Sequence, residues 1–281
     1  MDQGATCRRC ATALVGGTPH RDYMQKLGMP PACIFLGYDA VDNDYFENGA
    51  AEVRNQENEL RCRLRLPDRY FLASARFVAK KNLSRLIEAY GRYRQLAGKS
   101  GATEPWELVL VGDGPLRDSL LTLLSSLNLQ KHVHMPGFKQ YDELPAYYGL
   151  ASAFVHVSTV EQWGLVVNEA MASGLGVLVS DRCGCATDLV KAGVNGFTFD
   201  PCNVEQLAEL MRDLSSPGFD LAAMGKASQK IISEWGLGRF ADGLAQAVNA
   251  AVALPRPGPN ALDCLLLKSL LKMRARGRHA G

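Results

Sequence analysis

The chain has 281 residues, 47% of them hydrophobic, and a formal net charge of +2. That length allows one large or two modest domains with a sizeable core. The near-neutral balance argues against a dedicated nucleic-acid binder, no run of about 18 apolar residues is present to span a membrane, and the N-terminal MDQGATCRRC lacks the apolar segment of a secretory signal. Eight cysteines without a framework spacing fit reduced thiols and a cytoplasmic setting. Cys7 and Cys10 have CxxC spacing, but Cys183 and Cys185 are too close in sequence to suit the second half of a four-ligand zinc site, so ordinary thiols are expected.

In chain order, ALVGG (13–17) predicts a short strand, Pro19 a helix start, and HRDYMQKLG a helix ending at Gly28. A strand and a turn-rich stretch follow in ACIFLGYDAVDNDYF, and the polar run from Glu47 to Arg65 is expected to be a surface connection. From Tyr70 the pattern becomes regular. Strands are expected at Tyr70–Ala75, Trp106–Gly112, His132–Met135, Ala153–Ser158, Gly176–Ser180 and GFTFD (196–200). Helices are expected at Asn82–Leu96, Leu116–Leu127, Tyr141–Leu150, Leu165–Ser173, Val204–Leu214 and Leu221–Glu234, with one helical turn at Thr187–Lys191. Such alternation predicts an α/β fold: a Rossmann-like parallel sheet with helices on both faces. Continuous apolar runs such as LVLV fit strands buried on both sides. Ligands in such sheets bind beyond the carboxyl ends of the strands. After Ala253 come a linker, PRPGPN, and a partly apolar tail with a basic end.

Three of the strand-end loops carry chemistry. RFVAKKN places Arg76 and Lys81 at a strand-to-helix turn, where a guanidinium fork, an ammonium and a helix N-terminus can grip a diphosphate; a solvated basic loop is the plainer reading. In VGDGP, Gly112 and Gly114 let the backbone approach a ligand, or simply make a tight turn. In STVEQWGLVVNEAMASGLGV (158–177), Glu161 precedes a helix that opens near Gly164 and Leu165, and Glu169 lies inside it. Both carboxylates can face one cleft and accept hydrogen bonds from vicinal hydroxyls, while the free N–H groups at the helix start can take a phosphate. The alternative is a helix with one surface Glu and one Glu that favours its dipole.

Glu161-Gln-Trp-Gly-Leu-Val-Val-Asn-Glu169 resembles the EX7E motif of retaining glycosyltransferase family 4, whose members have the two-domain GT-B fold. ARFVAKKN, ELVLVGDGP, VHMPGFKQYDELPAYYGLASAFVHVS and SDRCGCATDLVKAGVNGFTFDP fall in the family's order, so the resemblance runs over about residues 13–250. Ala75 stands where a glycine is frequent, and Gly176 where proline is usual; the second loosens a turn by about 0.5–1 kcal/mol.

The resemblance implies a nucleotide-sugar donor site. Arg76 and Lys81 would hold the diphosphate, Glu161 the hydroxyls of the transferred sugar and Glu169 the ribose. The amides near Gly164 and Leu165 would meet the sugar or distal phosphate, and Gly112, Gly114, Phe138 and Lys139 would sit near the nucleoside. No cofactor or metal is expected, and Asp113 is not read as a ligand. His20, His132, His134 and His156 are expected to be structural, His156 packing from an apolar strand. The implied organisation is a remnant of an acceptor domain (1–37), an interdomain crossing (38–68), the donor domain (69–250) and a linker with a basic tail (251–281). About one domain, on the order of 150 residues, would be missing or supplied by a partner subunit, and the acceptor is unknown. A nucleotide-sugar-binding module without transfer activity is the alternative. The tail either meets an anionic membrane surface or packs back on the missing domain.

Overall fold

The computed structural model describes residues 10–100 and 104–254, with Leu265 and Ser269. The linker, the rest of the tail and Cys7 lie outside the described residues. A first, small unit pairs β1 (Ala13–Val15) in parallel with β2 (Ile34–Leu36) across helix α1 (Thr18–Lys26), which has proline in its first turn as expected.

The polar run 47–65 departs from expectation, since it folds as helices α2 (Asn43–Asn55) and α3 (Glu57–Leu64). Asp42 caps α2 by accepting from the Tyr45 N–H at 3.0 Å. Only Phe46, Ala50 and Leu60 are buried along the two helices, a stripe too thin to stand out among charges in the sequence. Where α2 meets the next layer, a Cβ added to Gly49 would lie 2.8 Å from Pro145, so the small residue sets the close approach.

The main unit alternates as expected: β3 (Tyr70–Ser74), α4 (Leu83–Ser100), β4 (Glu107–Val111), α5 (Arg117–Ser126), β5 (Val133–Gly137), α6 (Leu144–Gly149), β6 (Ala153–His156), α7 (Leu165–Ala172), β7 (Val177–Ser180), α8 (Ala186–Leu189), β8 (Gly196–Phe199), α9 (Val204–Leu214) and α10 (Leu221–Ile232). The six strands form one sheet in the order β5-β4-β3-β6-β7-β8, every neighbour pair parallel. Side chains alternate between two cores: Phe71, Leu108 and Leu110 face one, and Tyr70, Leu72 and Val109 the other. Burial on both faces is why these strands read as unbroken apolar runs.

A last helix, α11 (Leu237–Ala253), packs on β1 and β2. The Thr12 hydroxyl donates to the Ala247 carbonyl at 3.0 Å. Its N-cap, Gly236, offers no side-chain bond, and its interior carries glycines, so the usual start marks are absent from the sequence. No helix among the described residues is long and apolar enough to cross a membrane.

Candidate functional site

The sheet winds outward from β3 in both directions, so its topological switch point lies between β3 and β6. The carboxyl ends there open a crevice. Backbone hydrogen bonds lace the loops around it: the Ala75 N–H donates to Val111 O at 3.0 Å, Gly112 to Gly137 O at 3.0 Å, and Phe77 to Asp113 O at 2.8 Å. This lacing requires Gly112. Its φ is +130°, and a Cβ there would stand 1.9 Å from the Ala75 carbonyl oxygen.

A cleft of about 650 Å³ results, and Arg76, Lys81, Gly112, Gly114, Phe138, Lys139 and Glu169 all line it. Glu161, Gly164 and Leu165 stand beside this cleft and do not line it. Lys81 is positioned through its neighbour. Asn82, 8% exposed and left-handed at φ +57°, donates from Nδ2 to Val157 O at 3.2 Å and Pro201 O at 2.8 Å. That ties the turn after β3 to the end of β6.

Lys81 Nζ is ion-paired with Glu161 Oε2. The same oxygen accepts from Ser158 Oγ at 3.4 Å and lies 3.7 Å from His156 Nε2. The His156 ring and the Lys81 ammonium hold the Glu161 carboxyl down at about 2. Of the two, Lys81 is in contact, whereas the histidine separation exceeds a hydrogen bond and leaves Nε2 unpartnered. The backbone of the Glu161 loop is fixed from below: Gly184 N–H donates to Glu161 O at 3.1 Å, and Cys185 N–H to Trp163 O at 3.2 Å. Trp163, buried, donates from Nε1 to Asn168 Oδ1 at 3.0 Å.

Helix α7 starts from Gly164, left-handed at φ +106°, which turns the chain so that the first N–H groups of α7 are free. Leu165 is 38% exposed at that start. Glu169 is half-buried on the helix, and its Oε2 accepts from the buried Tyr148 hydroxyl at 2.7 Å. Burial raises the Glu169 carboxyl above its ordinary range, and the Tyr148 bond opposes that rise. Phe138 stands 67% exposed at the mouth. Lys139 lies over the Tyr147 ring at 5.4 Å and pairs with Glu143 at 3.4 Å.

Cys183 and Cys185 are buried thiols, and burial pushes Cys183 up to about 12. Among the described residues, no group of three or more His, Cys, Asp or Glu is arranged to hold a metal ion. His156 packs as its strand position implies, stacked on Phe154, but it also faces Glu161. Together with Tyr148 and Asn82 it belongs to the site and was not legible in the sequence. Nothing in the spacing of these three marks them out; a fold is needed to bring them to the carboxylates and the loop.

The chain matches the model of the family described as glycosyl transferases group 1 over residues 56–231, a span that contains every residue of the cleft. It is 30% identical over 204 residues to the GDP-mannose-dependent alpha-(1-6)-phosphatidylinositol monomannoside mannosyltransferase of Mycobacterium tuberculosis, covering 69% of this chain and 50% of that protein. It is 26% identical over 208 residues to the alpha-D-kanosaminyltransferase of Streptomyces kanamyceticus, covering 74% and 52%. The chain thus spans about half the length of these two relatives. A glycosyltransferase from Rickettsia africae shares the fold with a TM-score of 0.73 at 17% identity, covering 88% of this chain and 65% of that one. Anabaena HepE in complex with UDP and glucose does so with a TM-score of 0.67 at 20% identity, covering 85% and 63%. At those identities the likeness speaks for the fold alone, the parallel sheet covered on both faces. The family match, running from α3 into α10 and across the whole crevice, makes this chain a member of the group 1 glycosyl transferases.

Proposed function

We propose that the chain carries the nucleotide-sugar donor site of a retaining glycosyltransferase of family 4. One observation carries this reading: two cations, a glycine turn and the Glu169 carboxylate open into a single cleft, with Glu161 held on Lys81 at its edge. The Arg76 fork and the Lys81 ammonium suit a diphosphate. As the sugar–phosphate bond breaks, charge grows on the leaving phosphate, and fixed cations stabilise that state more than the ground state. On this reading no metal ion is required. Tyr148 occupies one oxygen of Glu169, leaving the other to accept from ribose hydroxyls. Glu161 accepts from hydroxyls of the transferred sugar, the amides at Gly164 and Leu165 meet the sugar or distal phosphate, and Gly112, Gly114, Phe138 and Lys139 flank the nucleoside.

In the same reading, residues 1–37 belong to an acceptor-binding domain, 38–68 cross between domains, and 69–250 form the donor domain. The acceptor site and its catalytic groups come from that other domain or from a partner subunit. The name of the mycobacterial relative specifies GDP-mannose and a phosphatidylinositol mannoside, and HepE holds UDP, so guanine and uracil donors both belong in the test. A thermal-shift screen with UDP-, GDP- and ADP-sugars is expected to find one base class that stabilises the chain. The anomeric configuration of the transferred sugar, read by NMR with the acceptor side present, is expected to be retained. Stabilisation by none of the three classes would sink the donor-site reading.

A further inference from the structure

His156 ends β6 with its side chain 3% exposed and its ring stacked on Phe154 at 6.4 Å and 10°. The stacking fixes the ring plane. Its Nε2 has no hydrogen-bond partner and stands 3.7 Å from Glu161 Oε2, about 0.8 Å beyond a usual N–H···O bond. It also borders the start of α7, since a Cβ added to Gly164 would lie 3.7 Å from it. Buried polar atoms without partners are rare in native proteins, so a state in which this nitrogen is satisfied is expected.

Glu161 Oε2 is held by Lys81, with Ser158 as a weak second donor at 3.4 Å. Lys81 also lines the cleft. A diphosphate seated there competes for the same ammonium, and Glu161 would then lose its strongest donor as an anion arrives beside it. A small approach by His156 replaces that donor. We propose that His156 is a positioning residue for Glu161: neutral and carrying its proton on Nε2, it takes over Oε2 when the bound donor draws Lys81 to the diphosphate, leaving the other carboxylate oxygen aimed at the sugar. This inference rests on the donor-site reading. Burial disfavours the charged ring, and a neutral imidazole donates one hydrogen bond without adding a third cation beside the leaving group.

The test is calorimetry on the full chain with GDP-mannose, UDP-glucose and ADP-glucose, and with GDP, UDP and ADP alone. His156→Leu is expected to weaken the nucleotide sugar about 10-fold while leaving the nucleoside diphosphate within about 2-fold, since only the sugar contact is affected. His156→Gln, which keeps an N–H near the position of Nε2, is expected to recover most of the loss, and the shorter His156→Asn is not. In a Glu161→Ala background, His156→Leu is expected to cost nothing more, because the two act as one unit. If the leucine variant fails to fold, the glutamine–asparagine contrast decides. Equal losses for the sugar nucleotide and the diphosphate, no rescue by glutamine, or losses that add in the double variant would overturn the positioning role and leave the donor site standing. Failure of the unaltered chain to bind any of the six ligands would overturn both.

Discussion

Glu161 and Glu169 stand at the two ends of one segment and are held by opposite means. Glu161 lies in a loop between β6 and α7, against Lys81 and His156, and its carboxyl sits at about 2. Glu169 lies inside the helix, where burial raises its carboxyl and a single phenol opposes the rise. A motif written as two glutamates therefore contains two different groups. One is a paired anion whose charge is answered at once. The other is a carboxylate kept partly dry that lines the cleft. The difference follows from position: the loop brings Glu161 to the cations at the switch point, and the helix carries Glu169 under the wall formed by α6.

Removing Lys81 should break this contrast most strongly. Lys81→Ala deletes the proposed charge-assisted contact to the diphosphate and frees Glu161 to repel it, and such contacts are worth about 1.5–3 kcal/mol. Nucleoside diphosphate affinity is expected to fall about 10- to 100-fold in calorimetry, with the loss partly reversed in Lys81→Ala/Glu161→Gln. Absence of that reversal would mean that the pair does not couple.

Glu169→Ala comes next. It removes the proposed ribose acceptor and leaves the buried Tyr148 hydroxyl without its Glu169 partner, so affinity for a nucleoside diphosphate is expected to fall about 5- to 30-fold, in keeping with a net loss of about 1–2 kcal/mol. A deoxyribose ligand should lose much less. Equal losses for ribose and deoxyribose ligands would argue against Glu169 as the ribose acceptor.

The two neutral variants should move the stability of the ligand-free chain in opposite directions. Glu161 titrates below its ordinary 4.5, so the unfolded chain binds more protons there. Its contribution is present above about pH 4.5 and is lost as pH falls toward 2. Glu169 titrates above 4.5, so the folded chain holds the extra proton and stability falls as pH rises through that raised value. At pH 7, Glu161→Gln is expected to destabilise and Glu169→Gln to stabilise, each by about 1 kcal/mol. Thermal unfolding of both variants at pH 7 and pH 4 reads the sign, and shifts in the same direction would refute the contrast.

The sheet was legible because strands such as Leu108–Val111 are apolar on both faces and alternate with helices of clear period. The cleft residues were legible because glycine, cations and carboxylates at strand ends have few other uses together. What escaped has a physical cause. Helices α2 and α3 bury so few residues that their charges dominate the pattern. Helix α11 lacks a side-chain cap. His156, Tyr148 and Asn82 look like core residues because they are core residues. Their polar atoms reach the site only through β6, α6 and the turn after β3, which the sheet order brings side by side.

The finest probe of the contrast is the phenol. Tyr148 donates to Glu169 Oε2 at 2.7 Å, which both orients the carboxylate and lowers its proton affinity. Tyr148→Phe keeps the ring and its packing against Phe46 and Phe154 and removes only the donor. A hydrogen bond to a charged group is worth about 1.5–3 kcal/mol, but this one reaches the ligand only through Glu169, so nucleoside diphosphate affinity at pH 8 is expected to fall only about 3- to 5-fold. The pH dependence is more diagnostic than the affinity. With its donor gone, Glu169 takes up a proton at a higher pH than in the unaltered chain, and a protonated carboxyl accepts ribose hydroxyls poorly. Affinity measured downward from pH 8 should therefore begin to fall at a higher pH in Tyr148→Phe, whereas a phenol that served packing alone would leave the two profiles parallel.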